Sequence, residues 1–295
     1  MLSRALPAQA RSREPSLTRT LRAPLAWPLA HKRKTRAWGR GMKILALGLP
    51  LGAALLAATA QAAFAGDLKV LTAGAMRAVL VALVSEFEQQ TGHRVTIENA
   101  TAGVLTKRIA EGEPFDVAII TSPVVDELIN KGKIVPGSRV EVAKVGMGVA
   151  VKAGSALPDI STVEAFRRLL LSAKSVAYID PRAGGSSGIY FDKLLDRLGV
   201  GEEVRAKAKL KQGGYVAELV ANGEAEVGVH QISEILPVKG VLLAGPLPAE
   251  IQHTTVYAAG LSASTSDPSA ARSLIEFFAG PAAGPLLKSR GMDHP

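Results

Sequence analysis

The feature that most constrains the fold is a repeated alternation of short apolar runs with segments of helical spacing. Residues 68–73 form an apolar run, and the segment after it repeats apolar residues at steps of four, three and four from Met76 to Phe87. Val117–Thr121 is apolar and mostly β-branched, which is typical of a strand buried on both faces. Strands that alternate with helices predict an α/β fold with parallel sheets covered by helices on both faces.

The formal net charge of +9 is confined almost entirely to the first 41 residues. That stretch holds ten Lys and Arg against one acidic residue, whereas residues 66–295 hold 24 basic and 25 acidic side chains. A protein that binds a polyanion needs a basic face. We therefore expect no nucleic-acid partner, and we interpret residues 1–41 as a leader or an over-extended gene start.

Residues 42–65 have the pattern of a secretory signal peptide. One lysine precedes an apolar run, and two A-x-A cleavage patterns close it at residues 60–62 and 63–65. The alternative is a membrane anchor, but Pro50 interrupts the run, and the run ends in small residues rather than basic ones. We expect export to the periplasm and a soluble mature chain that begins at or near Gly66.

Two further apolar segments predict how the exported chain divides. Residues 144–151 and 255–262 could each leave one sheet and enter another. Two such crossings give a discontinuous first lobe, residues 67–147 with 258–295, and a continuous second lobe, residues 148–257. Both lobes have a normal domain size. The two crossing segments are expected to lie side by side.

Catalytic motifs are absent from the sequence. The chain has no cysteine, which excludes thiolate catalysis and thiolate metal sites. No P-loop, zinc-peptidase, serine-hydrolase or dinucleotide motif occurs, and no two of the four histidines after residue 65 are three to five residues apart. We expect no catalytic residue, no metal and no cofactor.

Small and hydroxyl-bearing residues follow several predicted strands. Ligands of α/β sheets bind at the carboxyl ends of strands. A helix that begins there offers free N–H groups and a dipole that favour an anion. Such loops are also ordinary caps and turns, but their recurrence on both predicted lobes favours an anion site. The Gly-Gly-Ser-Ser-Gly loop, residues 184–188, is the strongest single candidate because no bulky side chain shields its backbone.

For three of the candidate ligand-binding residues, an ordinary structural role explains the residue as well as ligand binding does. Arg77 and Arg182 could clamp a carboxylate or be ordinary surface arginines, and His230 could line the site or be a buried core histidine. The candidate residues are Thr72, Gly74, Ala75, Met76, Arg77, Thr101, Gly103, Thr121, Ser122, Arg182, Ser186, Ser187, Gly188, Gly214, His230 and Gln231.

Four segments, in order along the chain, resemble the periplasmic molybdate-binding proteins of ABC importers. They are LKVLTAGAMRAVLVALVSEFEQQTGHRV (68–95), GEPFDVAIITSPVVDELINKGKI (112–134), GSSGIYFDKLLDRLGV (185–200) and LIEFFAGPAAGPLLKSRGM (274–292). The resemblance implies the type II periplasmic binding protein fold, with two α/β lobes that are joined by two crossing strands and close by hinge motion. It also implies a small anionic ligand, an ABC permease in the inner membrane as partner, and a monomer.

At the site, this chain departs from the family that it resembles. Ala75 occupies a position where the family normally has a serine, and Gln231 occupies one where it often has a tyrosine. Thr101-Ala102-Gly103 occupies the position of the family's second loop, which is usually rich in serine, whereas Ser187 matches the family. A site that has fewer hydroxyl donors but keeps backbone N–H groups and arginines favours a planar carboxylate over a tetrahedral oxyanion. The hypothesis is that a di- or tricarboxylate binds about tenfold or more tightly than molybdate, and that Arg182→Ala weakens this binding by more than about tenfold.

Five other segments are similar to the aconitate-isomerase branch of the same superfamily. They are GSRV (137–140), PDIS (158–161), AKSVAY (173–178), GEAEVGVHQISEIL (223–236) and VYAAGLSAS (256–264). This similarity implies an alternative function, a periplasmic isomerase that moves a double bond of a tricarboxylate by proton transfer. Such an enzyme needs a general base and groups that stabilise developing negative charge. The candidate bases are His230, Glu234 and Asp180, and the candidate clamps are Arg77 and Arg182.

Overall fold

The computed structural model describes residues 66–295. The predicted leader and signal peptide, residues 1–65, lie outside the described residues. The strands of the described part are β1 (Asp67–Ala73), β2 (Arg94–Ala100), β3 (Val117–Thr121), β4 (Val140–Val145), β5 (Met147–Lys152), β6 (Val176–Ile179), β7 (Ala208–Lys211), β8 (Val227–Gln231), β9 (Val241–Pro246), β10 (Thr255–Leu261) and β11 (Met292–Asp293). The α-helices are α1 (Gly74–Thr91), α2 (Ala102–Ala110), α3 (Ser122–Asn130), α4 (Val163–Ser172), α5 (Ser186–Arg197), α6 (Gly201–Ala206), α7 (Ala217–Ala221), α8 (Ile232–Ile235), α9 (Pro268–Ala279) and α10 (Ala283–Ser289).

The strands form two mixed sheets. The first has the order β11-β4-β10-β3-β1-β2, with β1 parallel to β2 and β3, and β10 antiparallel to β3 and β4. The second has the order β7-β6-β8-β5-β9, with β6 parallel to β7 and β8, and β5 antiparallel to β8 and β9. The expectation of parallel sheets is therefore wrong for part of each sheet. An apolar run marks a strand as buried but does not reveal the direction of its neighbours.

The chain passes between the sheets twice, and the two passages meet. β4 ends at Val145 in the first sheet and β5 begins at Met147 in the second, and the chain returns to the first sheet at Thr255, which pairs with Val145. The Gln252 amide links the passages, since it accepts a hydrogen bond from Met147 N (2.8 Å) and donates one to Met147 O (3.0 Å). Thr255 to Tyr257 pair within the first sheet, although the prediction put them in the second lobe. The lobe boundaries themselves stay a prediction.

Each sheet is covered by helices on both faces and has its own apolar core. The predicted apolar stripe of α1, from Met76 to Phe87, packs with α9 and α10 on one face of the first sheet, and α2 and α3 cover the other. α4, α5 and α6 cover one face of the second sheet, and α7 and α8 the other. Because helices cover both faces of each sheet, a ligand reaches the sheets at the ends of their strands.

Two helices begin elsewhere than the sequence predicts. The sequence Ser161-Thr162-Val163-Glu164 has the pattern of a capping box, which predicts Ser161 as the cap of α4. The cap is instead Thr162, whose Oγ1 accepts a hydrogen bond from Ala165 N (3.1 Å). The Ser161 hydroxyl instead donates to Asp159 (2.7 Å). α5 begins at Ser186, inside the glycine-rich loop that was expected to run to residue 188. The two serines of that loop therefore form part of a helical first turn.

Candidate functional site

A small cavity lies between the two sheets, where α1, α2 and α5 begin. The space that the centre of a water molecule can reach inside it is about 40 Å³. The cavity is lined by Ala73, Gly74, Ala75, Asn99, Ala100, Thr101, Ala102, Thr121, Ile179, Gly185, Ser186, Ser187, Gly213, Gly214, His230, Gln231, Glu234 and Tyr257.

The first wall consists of turns that follow strands of the first sheet. Gly74 and Ala75 open α1, and no side chain caps the first turn of that helix. Thr101 opens α2: its hydroxyl accepts a hydrogen bond from Val104 N (3.4 Å) and donates one to the Ala183 carbonyl in the opposite wall. The uncapped N–H groups of α1 are therefore available to a ligand.

The second wall belongs to the second sheet. Gly185, Ser186 and Ser187 surround the start of α5, which also lacks a side-chain cap, and Gly213 and Gly214 follow β7. The absence of bulky side chains lets a ligand approach the backbone closely. With α1 and α2 opposite, three helices direct the positive ends of their dipoles at one small space, which favours an anion.

A hydrogen-bonded network of neutral side chains closes one end of the cavity. Gln231 donates through Nε2 to Ser186 Oγ (3.2 Å) and Thr255 Oγ1 (3.0 Å), and its Oε1 accepts from Tyr257 Oη (2.8 Å). Because Gln231 stands where the family often has a tyrosine, the sequence predicts a site without a tyrosine hydroxyl, but Tyr257 of β10 supplies one. Tyr257 is not among the residues predicted from the sequence, because it lies within a strand and not in a loop that follows one. The available signal was a lone aromatic residue among the small residues of β10.

His230 and Glu234 form a buried pair in the cavity wall. The distance from His230 Nε2 to Glu234 Oε2 is 3.3 Å. Burial raises the pKa of Glu234 to about 8. Burial, with the charge of Lys211 acting in the same direction, lowers the pKa of His230 to about 3. Both side chains are therefore mostly uncharged at pH 7, which is the expected outcome where no opposite charge compensates desolvation.

The structure brings nine of the sixteen candidate residues together around the cavity. These are Gly74, Ala75, Thr101, Thr121, Ser186, Ser187, Gly214, His230 and Gln231. Three others lie behind the walls. Thr72 donates to the Ile119 carbonyl (3.1 Å), Met76 is part of the apolar core, and Gly188 packs against the end of β6 at Ile179. These three residues shape the site without lining it.

The two candidate clamps lie away from the cavity. Arg77 is exposed on α1, and the Arg182 side chain is 82% exposed and forms an ion pair with Asp180 (2.6 Å). That guanidinium holds the pKa of Asp180 far below its usual range, so this candidate base is engaged elsewhere. Ser122 is buried with an unpartnered hydroxyl beside a neighbouring depression. Within residues 66–295, no lysine or arginine lines the cavity.

The two walls touch at a pair of glycines. Gly103 N donates a hydrogen bond to the Gly184 carbonyl (3.0 Å), and a Cβ on Gly103 would lie 2.8 Å from Gly184 Cα. Gly184 has a φ of +73°, which suits glycine. Gly103 is thus a contact between the walls and not a lining residue. The two walls of the cleft are therefore in contact in this structure.

Two negative findings apply to the described part of the chain. Among residues 66–295, no group of three or more His, Cys, Asp or Glu side chains is placed to hold a metal ion. In the same range, no helix combines the length and apolar character needed to cross a membrane.

The chain matches the family model of the bacterial extracellular solute-binding proteins over residues 68–293. The chain belongs to this family. It is 32% identical over 252 residues to an aconitate isomerase of a Pseudomonas species, across 83% of this chain and 95% of the relative. It is 30% identical over 257 residues to the molybdate-binding protein ModA of Azotobacter vinelandii, across 83% of this chain and 96% of the relative.

Solved structures of similar proteins agree with the fold. The periplasmic molybdate-binding protein of Azotobacter vinelandii has a TM-score of 0.66 at 24% identity, covering 77% of this chain and 99% of that one. The sulfate-binding protein SubI of Mycobacterium tuberculosis has a TM-score of 0.61 at 16% identity, covering 77% and 86%. The type II periplasmic binding protein fold that the resemblance implied is thereby confirmed. The family identifies the chain as a bacterial extracellular solute-binding protein.

Proposed function

We propose that this protein captures a compact anion between its two lobes in the periplasm and delivers it to an ABC importer. The observation that carries this proposal is the cavity itself. Three helices begin at it, hydroxyl and amide groups line it, and among the described residues no lysine or arginine does. Neutral donors distributed around a small space suit an oxyanion, whereas guanidinium recognition of a planar carboxylate requires an arginine in contact with the ligand.

The size of the cavity points in the same direction. The space open to the centre of a water molecule is about 40 Å³, so a compact anion fits with less movement of the walls than a tricarboxylate would need. The geometry therefore favours a molybdate-like oxyanion over the carboxylate of the sequence-based hypothesis, and the 30% identical molybdate-binding relative supports the same ligand class.

Ligand capture would proceed by closure of the lobe built on the first sheet against the lobe built on the second sheet. The passages at Val145 and Thr255 are the hinge, because within residues 66–295 the chain crosses between the two sheets only there and Gln252 keeps the two passages together. Closure brings the start of α5 opposite the starts of α1 and α2. The protein acts as a monomer, and an inner-membrane permease recognises the closed form.

Export precedes capture. Cleavage of the predicted signal peptide, residues 42–65, is expected to give a soluble mature chain that begins at or near Gly66. Intact-mass measurement of the exported protein checks this start. Recovery of the uncleaved chain from the membrane fraction would contradict both the processing and the periplasmic location.

Titration of the purified exported protein with oxyanions and carboxylates tests the ligand class. Molybdate, tungstate and sulfate are compared with malonate and citrate by thermal shift and calorimetry. We expect at least one oxyanion to stabilise the protein, by about 2.7 kcal/mol at a concentration of 100 times its Kd. Stabilisation by citrate or malonate alone would contradict the oxyanion proposal. No stabilisation by any of the five would contradict an anion site.

A second candidate function is isomerisation of a tricarboxylate, and Glu234 is the observation that favours it. A carboxyl group with a pKa raised to about 8, placed near helix N-termini that can stabilise developing negative charge, has the properties of a proton-transfer group. The relative that is 32% identical is an aconitate isomerase. Incubation with cis-aconitate, followed by proton NMR, separates the functions: conversion of the ligand supports the enzyme, and an unchanged ligand supports the binding protein.

Tyr257→Phe is expected to weaken anion binding about tenfold, whereas Arg182→Ala should change it less than about threefold. The first variant removes a hydroxyl that lines the cavity, where a hydrogen bond to a charged ligand contributes about 1.5–3 kcal/mol. The second removes an exposed side chain outside the cavity. Calorimetry with the tightest oxyanion compares the two. A large loss of affinity in Arg182→Ala, together with an unchanged affinity in Tyr257→Phe, would instead support Arg182 as a guanidinium clamp for the ligand.

A further inference from the structure

Among the residues that line the cavity, Glu234 is the acidic side chain. It is 6% exposed, and its Oε2 lies 3.3 Å from His230 Nε2. Gly74, the first residue of α1, leaves room for it, since a Cβ there would lie 2.6 Å from Glu234 Oε1. The carboxyl group therefore stands at the start of α1, where the anion would bind. An ionised carboxylate at this place would repel the ligand.

The described groups that face Glu234 in the cavity carry no charge. His230 comes from β8 and remains neutral because burial lowers its pKa to about 3, helped by Lys211 on β7. Tyr257 comes from β10, and burial raises its pKa. α1 and α5 contribute only glycine, alanine and serine to the lining. Burial without a cation to pair with favours the neutral acid and outweighs the preference of the start of α1 for a negative charge.

We propose that Glu234 binds the anion as a neutral carboxyl group whose O–H donates a hydrogen bond to the ligand, so that each bound anion requires a proton on Glu234. This inference rests on the proposed anion-binding function. Glu234 Oε2 faces His230 Nε2, and Oε1 is left to carry the proton beside Gly74. Glu234 is then a donor of the site, equivalent to the serine and tyrosine hydroxyls around it.

The expected signature is a pH dependence with a definite sign. Below about pH 8, Glu234 is protonated before the ligand arrives, and the affinity is nearly constant. Above that pH, each binding event must take up one proton, because a bound anion raises the pKa of the carboxyl group further. The Kd of wild type therefore rises about tenfold per pH unit above pH 8.

Calorimetric titration with molybdate from pH 6 to pH 9.5 tests the proposal, with malonate as a second probe. Both probes are fully ionised above pH 7, so their own protonation does not contribute there. Glu234→Gln keeps an N–H donor at the same place and is expected to bind with no pH dependence. Glu234→Ala removes the donor and should bind about tenfold more weakly at pH 7. The control is Glu250→Gln, which removes an exposed charge outside the cavity and should follow wild type.

A second measurement needs no ligand. An unfolded glutamate titrates near pH 4.5, so between that pH and about 8 the folded chain keeps a proton that the unfolded chain loses. The stability of wild type should therefore fall across this window relative to Glu234→Gln, and the difference in Tm should grow with pH and then level. Glu250→Gln should show no such difference.

The outcomes separate the inference from the function on which it rests. Binding that weakens above pH 8 in wild type and Glu250→Gln but not in Glu234→Gln supports the inference. Binding with equal pH dependence in wild type and Glu234→Gln overturns it, as does a Tm difference that is constant with pH. If neither probe binds wild type at pH 6, the anion-binding function itself fails, whatever the stability measurement shows.

Discussion

Changing Gly103 to alanine is expected to weaken anion binding about thirtyfold without unfolding either lobe, an effect of about 2 kcal/mol. The added Cβ would lie 2.8 Å from Gly184 Cα, a backbone atom that cannot rotate away. The hydrogen bond from Gly103 N to the Gly184 carbonyl would also be lost, since the walls must separate. The closed form becomes less populated, and the apparent affinity falls by the same factor.

The lobe that carries Gly103 should remain folded, because the residue lies in α2 and alanine is the better helix former by about 1 kcal/mol. Val104→Ala is the matched control, since Val104 is the next residue of α2, is exposed and does not line the cavity. Calorimetry gives the affinity, and small-angle scattering with saturating ligand gives the compactness. An unchanged affinity in Gly103→Ala would show that the described contact between the walls is not needed for binding.

Most of the secondary structure follows from local patterns in the sequence. The spacing of apolar residues from Met76 to Phe87 predicts α1, because a helix returns the same face every three or four residues. Val117–Thr121 predicts β3 for a similarly local reason. Strand direction does not follow from such patterns. It depends on which strands meet in space, and an apolar strand is buried equally well between parallel and antiparallel neighbours.

The candidate site follows from the sequence only in part. Loops after strands predict that Gly74, Thr101 and Ser186 lie close together, and the structure places them around one cavity, because the topology of α/β sheets brings such loops together. Tyr257 could not be found in this way, since its hydroxyl reaches the cavity from within a strand. Arg182 is near the site in sequence but belongs to an ion pair with Asp180, and only the folded geometry shows which partner a charged side chain takes.

Glycine at position 188 is compatible with two different roles, contact with a ligand and close packing of a helix on a strand. The sequence suggests that it lets a ligand approach the backbone of the loop. In the structure it faces away from the cavity and lies against the end of β6: a Cβ would be 2.9 Å from the Ile179 carbonyl carbon and would overlap the carbonyl oxygen. The glycine therefore allows the first turn of α5 to pack directly on the strand, which places the two serines of that turn in the cavity.

Gly188→Ala is accordingly expected to destabilise the protein by about 3 kcal/mol or more, because overpacking against backbone cannot be relieved by a rotamer change. The gain of about 1 kcal/mol in helix propensity is too small to compensate for this overlap. Denaturant unfolding gives the magnitude, and Ile189→Ala, an exposed position of the same helix, should lose less than about 1 kcal/mol. If Gly188→Ala instead kept wild-type stability and lost only ligand affinity, the sequence-based interpretation of this glycine as a ligand contact would be the correct one. The packing of α5 on β6 would then have to differ from the geometry described above.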